Sequence, residues 1–443
     1  MTKIEAEYLG GENLNLSQIF MMGRNLPLDE RIAQFRSIYQ AFNAHNCNFY
    51  RRKIVSPAGP VVTVEEQPGQ FKEMLMFGSN NYLDLGNHPF ILQRTREAID
   101  KYGVGIGGPP LLNGHTVLHE ELETQLAILK HAESAMIFSS GYNANVGLVT
   151  ALISSKNDLV AFDRYSHASF MDGLGMIKAN LKRFNHNDMY GLGQILQDVQ
   201  DSPDVRNKFI AVEGVYSMDG DLAPLPEVVQ HAKNHGAKII LDDAHGTLVL
   251  GSNGGGTAEH FGLAQDIDIT MGTFSKAFAV NGGFVAASEE IIDFMKFFAR
   301  SYMFSASIPI PVVAAVLAGI ELTRKDQSLM LNLQDRVRYA TEILRPYGLV
   351  TEPQAAIITL RVPTGMNIRK ASSIFHDLGI FINSIEYPAV PLKEQRFRVS
   401  MMATHTRLQI DQLRAAVEQV WNTTSVYDNF DQEVDSVLMN HMN

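Results

Sequence analysis

From about Met74 onward, short apolar runs alternate with stretches whose apolar residues recur at helical spacing. That alternation predicts an α/β fold with a mainly parallel sheet. The runs read as strands are Ser134–Phe138, Asp158–Phe162, Lys208–Val212, Lys238–Leu241, Ile267–Met271 and Gly283–Ala287. Helical patterns such as Leu225–His235 fill most of the gaps. Upstream, Leu26–Asn43 has the spacing of an amphipathic helix, and Phe49–Gly69, rich in β-branched residues, Pro and Gly, predicts extended segments and turns. Beyond Pro309 comes a long helix, then strands at Ala355–Val362, Gly379–Asn383 and Arg396–Met401 with helices between them. The expected division is an N-terminal helix and extended segment over 1–75, a large domain over 76–310, a smaller α+β domain over 311–422, and a tail over 423–443.

Composition narrows the classes. A hydrophobic content of 45% in 443 residues suffices for a large core. The formal charge of −11, with no stripe of Lys and Arg, points away from nucleic acid as a partner. Cys47 is the single cysteine, so no intrachain disulfide can form, and no Cys/His cluster has zinc-site spacing; no metal is expected. Met1–Gly11 carries acids and no apolar stretch of signal-peptide length. The apolar run Ile308–Leu317 is too short for a membrane span and contains Pro309 and Pro311. The expectation is a cytoplasmic protein without a membrane span.

In open α/β sheets, ligands bind beyond the carboxyl ends of the strands. The residues there are chemically rich. Lys238–Leu241 leads into Asp242-Asp243-Ala244-His245, and Ile267–Met271 into Gly272-Thr273-Phe274-Ser275-Lys276. Lys208–Val212 leads into Glu213-Gly214-Val215-Tyr216-Ser217, Asp158–Phe162 into Asp163-Arg164-Tyr165-Ser166-His167, and Ser134–Phe138 into Ser139-Ser140-Gly141-Tyr142. Taken singly, Lys276 reads as a surface lysine and Asp242 as a helix cap. Together they ask for more, because a carboxylate ending a buried strand needs a cation beside it. A pyridinium nitrogen would supply one, and an aldehyde cofactor held by an amine as a Schiff base accounts for both residues.

The segments Val212–Asp221 (VEGVYSMDGD), Leu241–Gly246 (LDDAHG) and Gly272–Lys276 (GTFSK) resemble the α-oxoamine synthases that use pyridoxal 5'-phosphate (PLP). The resemblance runs from about Phe77 to Trp421 with its motifs in order. It implies the fold-type I PLP-dependent transferase architecture, a homodimer with active sites at the interface, and decarboxylative condensation of an amino acid with an acyl-CoA or acyl-carrier thioester. It also implies roles for residues. Lys276 would be the Schiff-base lysine and proton-transfer base, Asp242 would pair with the pyridine nitrogen, and His245, with Ser217 nearby, would bond the phenolic oxygen. His167 would stack on the ring. Thr273 and the Ser140-Gly141-Tyr142 turn would hold the phosphate. Asn81 lies in the substrate-side motif, and Arg398 matches the arginine that grips the amino-acid carboxylate, a task suited to its planar fork.

Two positions depart from common family patterns: Pro109-Pro110 and Glu386 stand where many members have arginine. Glu386 precedes Tyr387-Pro388-Ala389-Val390-Pro391, a form similar to aminolevulinate synthase and eukaryotic serine palmitoyltransferase. Met218–Leu225, Gly272–Lys276, Arg300–Pro309 and Tyr387–Arg398 also look nearest to serine palmitoyltransferase. The lean is therefore toward L-serine and a long-chain acyl-CoA, with glycine or alanine as the alternative amino acid. Another PLP reaction on the same fold, or a non-catalytic partner subunit, are the readings from other classes; retention of Lys276, Asp242, His245 and His167 argues against the second. Gly103–Gly108 satisfies a GxGxxG search, but a helical pattern precedes it and Pro109-Pro110 follows, so it reads as a flexible stretch at the mouth of the site. His115 and His119 lack an HExxH context, His119 reads as structural at a helix start, and Gly254-Gly255-Gly256 reads as a turn.

Overall fold

A computed structural model describes residues 23–44, 48–153, 155–386, 390 and 394–423. Met1–Gly11, Cys47, Tyr387–Ala389, Pro391 and the tail after Thr423 lie outside the described residues.

A helix, Leu28–Ala44, follows Pro27, two residues later than its spacing suggested. Three strands follow: β1 (Lys53–Ile54), β2 (Val61–Gln67) and β3 (Gln70–Met76), with β2 and β3 forming an antiparallel hairpin. Gly69 closes that hairpin at φ 79°, a left-handed conformation that suits glycine.

The large sheet contains β4 (Ser134–Phe138), β5 (Asp158–Asp163), β6 (Asn180–Phe184), β7 (Asn207–Glu213), β8 (Lys238–Asp242), β9 (Ile269–Thr273) and β10 (Gly283–Ala287). Their spatial order is β4-β10-β9-β8-β7-β5-β6. Only β10 runs antiparallel to its neighbours, so the sheet is mainly parallel, as the alternating pattern predicts.

Side chains alternate across the sheet. Phe209, Ala211 and Ile240 pack on one side with Ala144, Leu148 and Val149, while Ile210, Val212, Ile239 and Leu241 pack on the other with Leu225, Val228 and Val229. Both faces are covered, which is why these strands read as continuous apolar runs. The same alternation sets up the chemistry. Glu213, Asp242 and Thr273, at the strand ends, share parity with Ala211, Ile240 and Met271 and so project on the side of the helix Gly141–Leu152.

The second region holds β11 (Ile357–Arg361), β12 (Ile380–Phe381), β13 (Asn383–Ile385) and β14 (Arg396–Ser400). β11, β14 and β13 form an antiparallel sheet, with Thr359, Arg398 and Asn383 in register. The stretch read as one strand over Gly379–Asn383 is two. Ile380–Phe381 pairs in parallel with β3, and the chain changes sheets at Ile382 before joining β14. The strand expected at Ile267–Met271 starts and ends two residues later. Its five residues pair with all of β10, which draws Gly272 and Thr273 into the ladder.

Candidate active site

Lys276 is fixed by the turn that follows β9. Phe274 N–H donates to Gly282 O (2.9 Å), Val280 N–H to Phe274 O (3.0 Å) and Ala279 N–H to Lys276 O (2.8 Å). Phe274, fully buried, stacks on Phe284 and meets Phe278 edge-on, so the loop is anchored on both sides of the lysine. Gly282 sits at φ 127°, and a Cβ there would lie 2.6 Å from the Phe274 ring. The partly buried Lys276 amine is lowered to about 8, chiefly by burial, against the opposing pull of Asp242 and Glu213. An amine in that range is available as a base or nucleophile near neutral pH.

Asp242 ends β8 directly beside Glu213 of β7. Its Oδ2 accepts from Asn145 Nδ2 (2.8 Å) and its Oδ1 from Ala244 N–H (3.1 Å), so both oxygens act as acceptors. Burial, then the neighbouring Asp242, push Glu213 well above the usual carboxylate range. One Glu213 oxygen, Oε1, is buried without a partner.

His167 caps the helix Ala168–Gly175. Its Nδ1 takes the Ser169 N–H (3.2 Å) and lies 2.8 Å from Ser169 Oγ, while the residue as a whole is exposed. Burial lowers its pKa below the ordinary histidine value. A planar group can rest against such a ring.

On the other side, His245 Nδ1 meets the Tyr82 hydroxyl at 2.7 Å. Burial first, and Lys276 and Arg398 next, hold His245 well below the ordinary histidine range; burial pushes Tyr82 up to about 12. The Tyr82 hydroxyl is also 3.4 Å from Arg398 Nη2, which donates to Asn80 Oδ1 at 2.8 Å. Arg398 is 8% exposed, and its Nε is buried without a partner. An aromatic hydroxyl thus links the histidine to the arginine.

Ser140 caps the helix Gly141–Leu152, its Oγ accepting from Asn143 N–H at 3.1 Å. First-turn N–H groups of such a helix have no partner within it and suit an anion. Thr273 faces that turn closely enough that a Cβ on Gly141 would lie 2.9 Å from both Cβ and Oγ1 of Thr273. Thr273 Oγ1 donates to Gly282 O (2.9 Å) and lies 2.9 Å from Ser275 Oγ.

Three expected residues are placed differently from the rest. Tyr142 is exposed, with its hydroxyl bonded to Asp172, so only its backbone faces the turn. Ser217 lies in the turn between the bridged Val215 and Leu222, with its N–H directed at Glu213. Asn81 is buried, but its amide is committed locally, accepting from Leu85 N–H (3.0 Å) and donating to Asp84 (3.0 Å); its neighbour Asn80 reaches Arg398. Local pattern gave no signal for Asn145 or Tyr82 as site members, and placed Glu213 only at a strand end without a role. Strand-side parity would have found Glu213, since it pairs with Asp242.

The decoys resolve structurally. His119 bonds Thr116 Oγ1 (2.7 Å) and Ile308 O (3.0 Å), as a histidine that fastens a helix start. Gly254 and Gly256 have φ of 78° and 97°, and the carbonyl of Gly255 between them accepts from Lys130 Nζ at 2.8 Å. Glu386 forms a buried ion pair with Arg369 (3.0 Å). His186, Asp219 and Asp221 have their ligand atoms close enough together to suggest a metal. However, His186 bridges Asp163 and Asp221, and Asp219 pairs with Arg396, so the cluster supplies its own cations.

The site therefore offers an amine of lowered pKa, a carboxylate accepting at both oxygens, an exposed histidine, a helix start with unpaired N–H groups and an arginine with an orphan donor. The residues fit PLP: the helix start capped by Ser140 suits a phosphate, Asp242 suits a protonated ring nitrogen, and the orphan Arg398 Nε suits the carboxylate of a substrate.

Residues 72–417 match the aminotransferase class I and II family, and the chain belongs to it. Within that family it is a PLP-dependent α-oxoamine synthase. It is 37% identical over 381 residues to serine palmitoyltransferase of Bacteriovorax stolpii (86% of this chain, 88% of the relative). It is also 37% identical over 374 residues to 8-amino-7-oxononanoate synthase of Thermoanaerobacter pseudethanolicus (84% and 93%). Among solved structures, a lysine variant of serine palmitoyltransferase from S. paucimobilis, bound to a PLP–myriocin aldimine, superposes with a TM-score of 0.81 (30% identity, 90% and 100% covered). An 8-amino-7-oxononanoate synthase from Francisella tularensis superposes with a TM-score of 0.65 (26% identity, 79% and 98% covered). The cofactor is PLP. No described helix is long and apolar enough to cross a membrane.

Proposed function

We propose that this enzyme condenses L-serine with a long-chain acyl-CoA, releasing CO2 and CoA and giving an α-aminoketone. The observation that carries the reading is the proximity of Lys276 to Asp242, His245 and Arg398, each of which acts on the charge of another. The higher structural likeness to serine palmitoyltransferase supports serine and a long acyl chain over the glycine or alanine chemistry of its other relatives. Equal sequence identity to 8-amino-7-oxononanoate synthase keeps that second reading in the test.

PLP supplies an aldehyde that condenses with amines and a ring that takes up the electron pair left when a bond at Cα breaks. The chain's residues do the rest. Lys276 holds the cofactor and moves the proton at Cα, a task for which its lowered pKa suits it. Asp242 holds the proton on the ring nitrogen. His167 would cover one face of the ring, and His245, with Ser217 beside it, would serve the phenolic oxygen. Thr273, Ser140 and the backbone of Gly141 and Tyr142 hold the phosphate. Arg398, steadied by Asn80, takes the amino-acid carboxylate in a bidentate grip. On this reading the cofactor belongs to the body over 76–310 and the carboxylate grip to 311–422. The active unit is a homodimer in the cytoplasm.

The experiment is thiol release from acyl-CoAs of graded chain length, with serine, glycine or alanine as co-substrate and CO2 measured in parallel. Serine with a C16 chain should give the highest kcat/KM, with thiol and CO2 released in equal amounts. Preference for alanine and a short or carboxylated chain would replace the serine reading, and thiol release without CO2 would overturn condensation altogether.

A further inference from the structure

Behind the cleft, a buried polar side chain lies where an apolar one would pack as well. Asn145, one turn into the helix Gly141–Leu152, is 1% exposed amid Ala144, Leu148 and Val149. Its Nδ2 donates twice, to Asp242 Oδ2 at 2.8 Å and to Ser169 Oγ at 2.9 Å. Its Oδ1 is buried and has no partner. The orphan oxygen fixes the orientation of the amide, because turning it over would set Oδ1 against the Asp242 carboxylate. Ser169 Oγ, having accepted from Asn145, is free to donate to His167 Nδ1 at 2.8 Å, which also takes the Ser169 N–H. The chain of bonds therefore has one direction: Nδ1 of His167 is an acceptor, and the ring proton sits on Nε2.

We propose that Asn145 is a positioning residue that clamps Asp242 and, through Ser169, fixes the tautomer and tilt of His167. This rests on the reading of Asp242 and His167 given above and adds the part that couples them. A carboxylate facing a ring nitrogen must keep one oxygen in line with it. Two fixed donors, Asn145 and the Ala244 N–H, remove the carboxylate's freedom to rotate. An alanine or leucine here would leave no unsatisfied oxygen; the amide instead spends its two donors on Asp242 and on Ser169, the residue that bonds His167.

The test measures exchange of the amino acid's α-proton in D2O, without acyl donor, on PLP-loaded enzyme. The amino acid is whichever of serine, glycine or alanine the wild type exchanges fastest. Asn145→Ala should keep the visible cofactor band and leave KM within threefold. It should slow kcat for exchange by about ten- to a hundredfold, the range for one charge-assisted hydrogen bond. Because Asn145 acts through Asp242, the N145A/D242N double variant should be no slower than D242N alone. Ser169→Ala breaks only the His167 arm, should slow exchange less than N145A, and should add nothing to H167A. The S169A/H167A cycle carries the test should N145A not fold. Exchange in N145A within twofold of wild type, or losses that multiply in the double variants, would overturn the proposal. A wild type that shows neither band nor exchange would sink the reading of the site itself, a result distinct from an insensitive N145A.

Discussion

Asp242 and Asp243 are consecutive, yet they enter two different kinds of charge cluster. Asp243 forms a buried ion pair with Lys130 (2.7 Å), and that lysine also donates to Thr247 Oγ1 and Gly255 O, both at 2.8 Å. Thr257 completes Asp243 through its N–H and its hydroxyl. Every donor of that ammonium has an acceptor. The cluster around Asp242 is the reverse: Glu213 Oε1 and Arg398 Nε have no partner, the Lys276 amine is depressed, and Glu213 is raised. The difference is between a cluster that closes on itself and one left open for a ligand. Buried charge stabilises a fold only when fully paired, while catalysis uses groups whose environment keeps them reactive.

Substitutions should separate the two clusters. Asp242→Asn should lower kcat by two to four powers of ten, equivalent to about 3–5 kcal/mol for a buried charge partner. Its unfolding midpoint should stay close to wild type; denaturant titration beside steady-state kinetics checks both. Lys130→Met should do the opposite, leaving Asp243 unpaired and costing about 3–5 kcal/mol of stability. Any activity retained by folded K130M should be near normal, and a K130M/D243L variant should recover most of the lost stability. Equal effects of D242N and K130M on both readouts would erase the distinction.

A third cluster extends the comparison to pH. Burial opposes the charge on His186, but its bonds to Asp163 and Asp221 outweigh that and raise it to about 9. A group raised on folding contributes stability that is complete below its unfolded value of 6.5 and lost as pH climbs through about 9. Stability should therefore fall across that window by on the order of 3 kcal/mol. His186→Gln should flatten this part of the profile, as read from urea midpoints at stepped pH. The smallest effect belongs to Arg398→Lys. Keeping the charge but losing the planar fork should raise the amino-acid KM by about ten- to a hundredfold, with less change in kcat.

The sheet was legible because both its faces are covered, so each strand from Ser134 to Ala287 that lies within it carries a dense apolar run. The exception is β6. Asn180–Phe184 is an edge strand whose Leu181, Lys182 and Arg183 are exposed, so no apolar run marks it. Lys276, Asp242 and His245 stood out because each follows such a run, whereas Arg398 was singled out by the family resemblance alone. Asn145 was not, because its partners Ser169 and Asp242 lie 24 and 97 residues away in the chain. Lys130 likewise looks like an ordinary helix-terminal lysine, and its role depends on the Gly254–Gly256 turn that wraps it. The choice of Asn80 over Asn81 as the partner of Arg398 depends on which of two adjacent amides the turn into Leu85 consumes.

The central claim is that Lys276 holds the cofactor. The measurement that tests it most directly is the visible absorption of protein saturated with PLP, in wild type and Lys276→Ala, during titration with serine, glycine and alanine. The account predicts a Schiff-base band near 420 nm, roughly, that is absent in K276A before amino acid is added and that shifts with the true amino substrate in the wild type. A wild type with no such band, or a K276A variant with the same band before any amino acid is added, would contradict it.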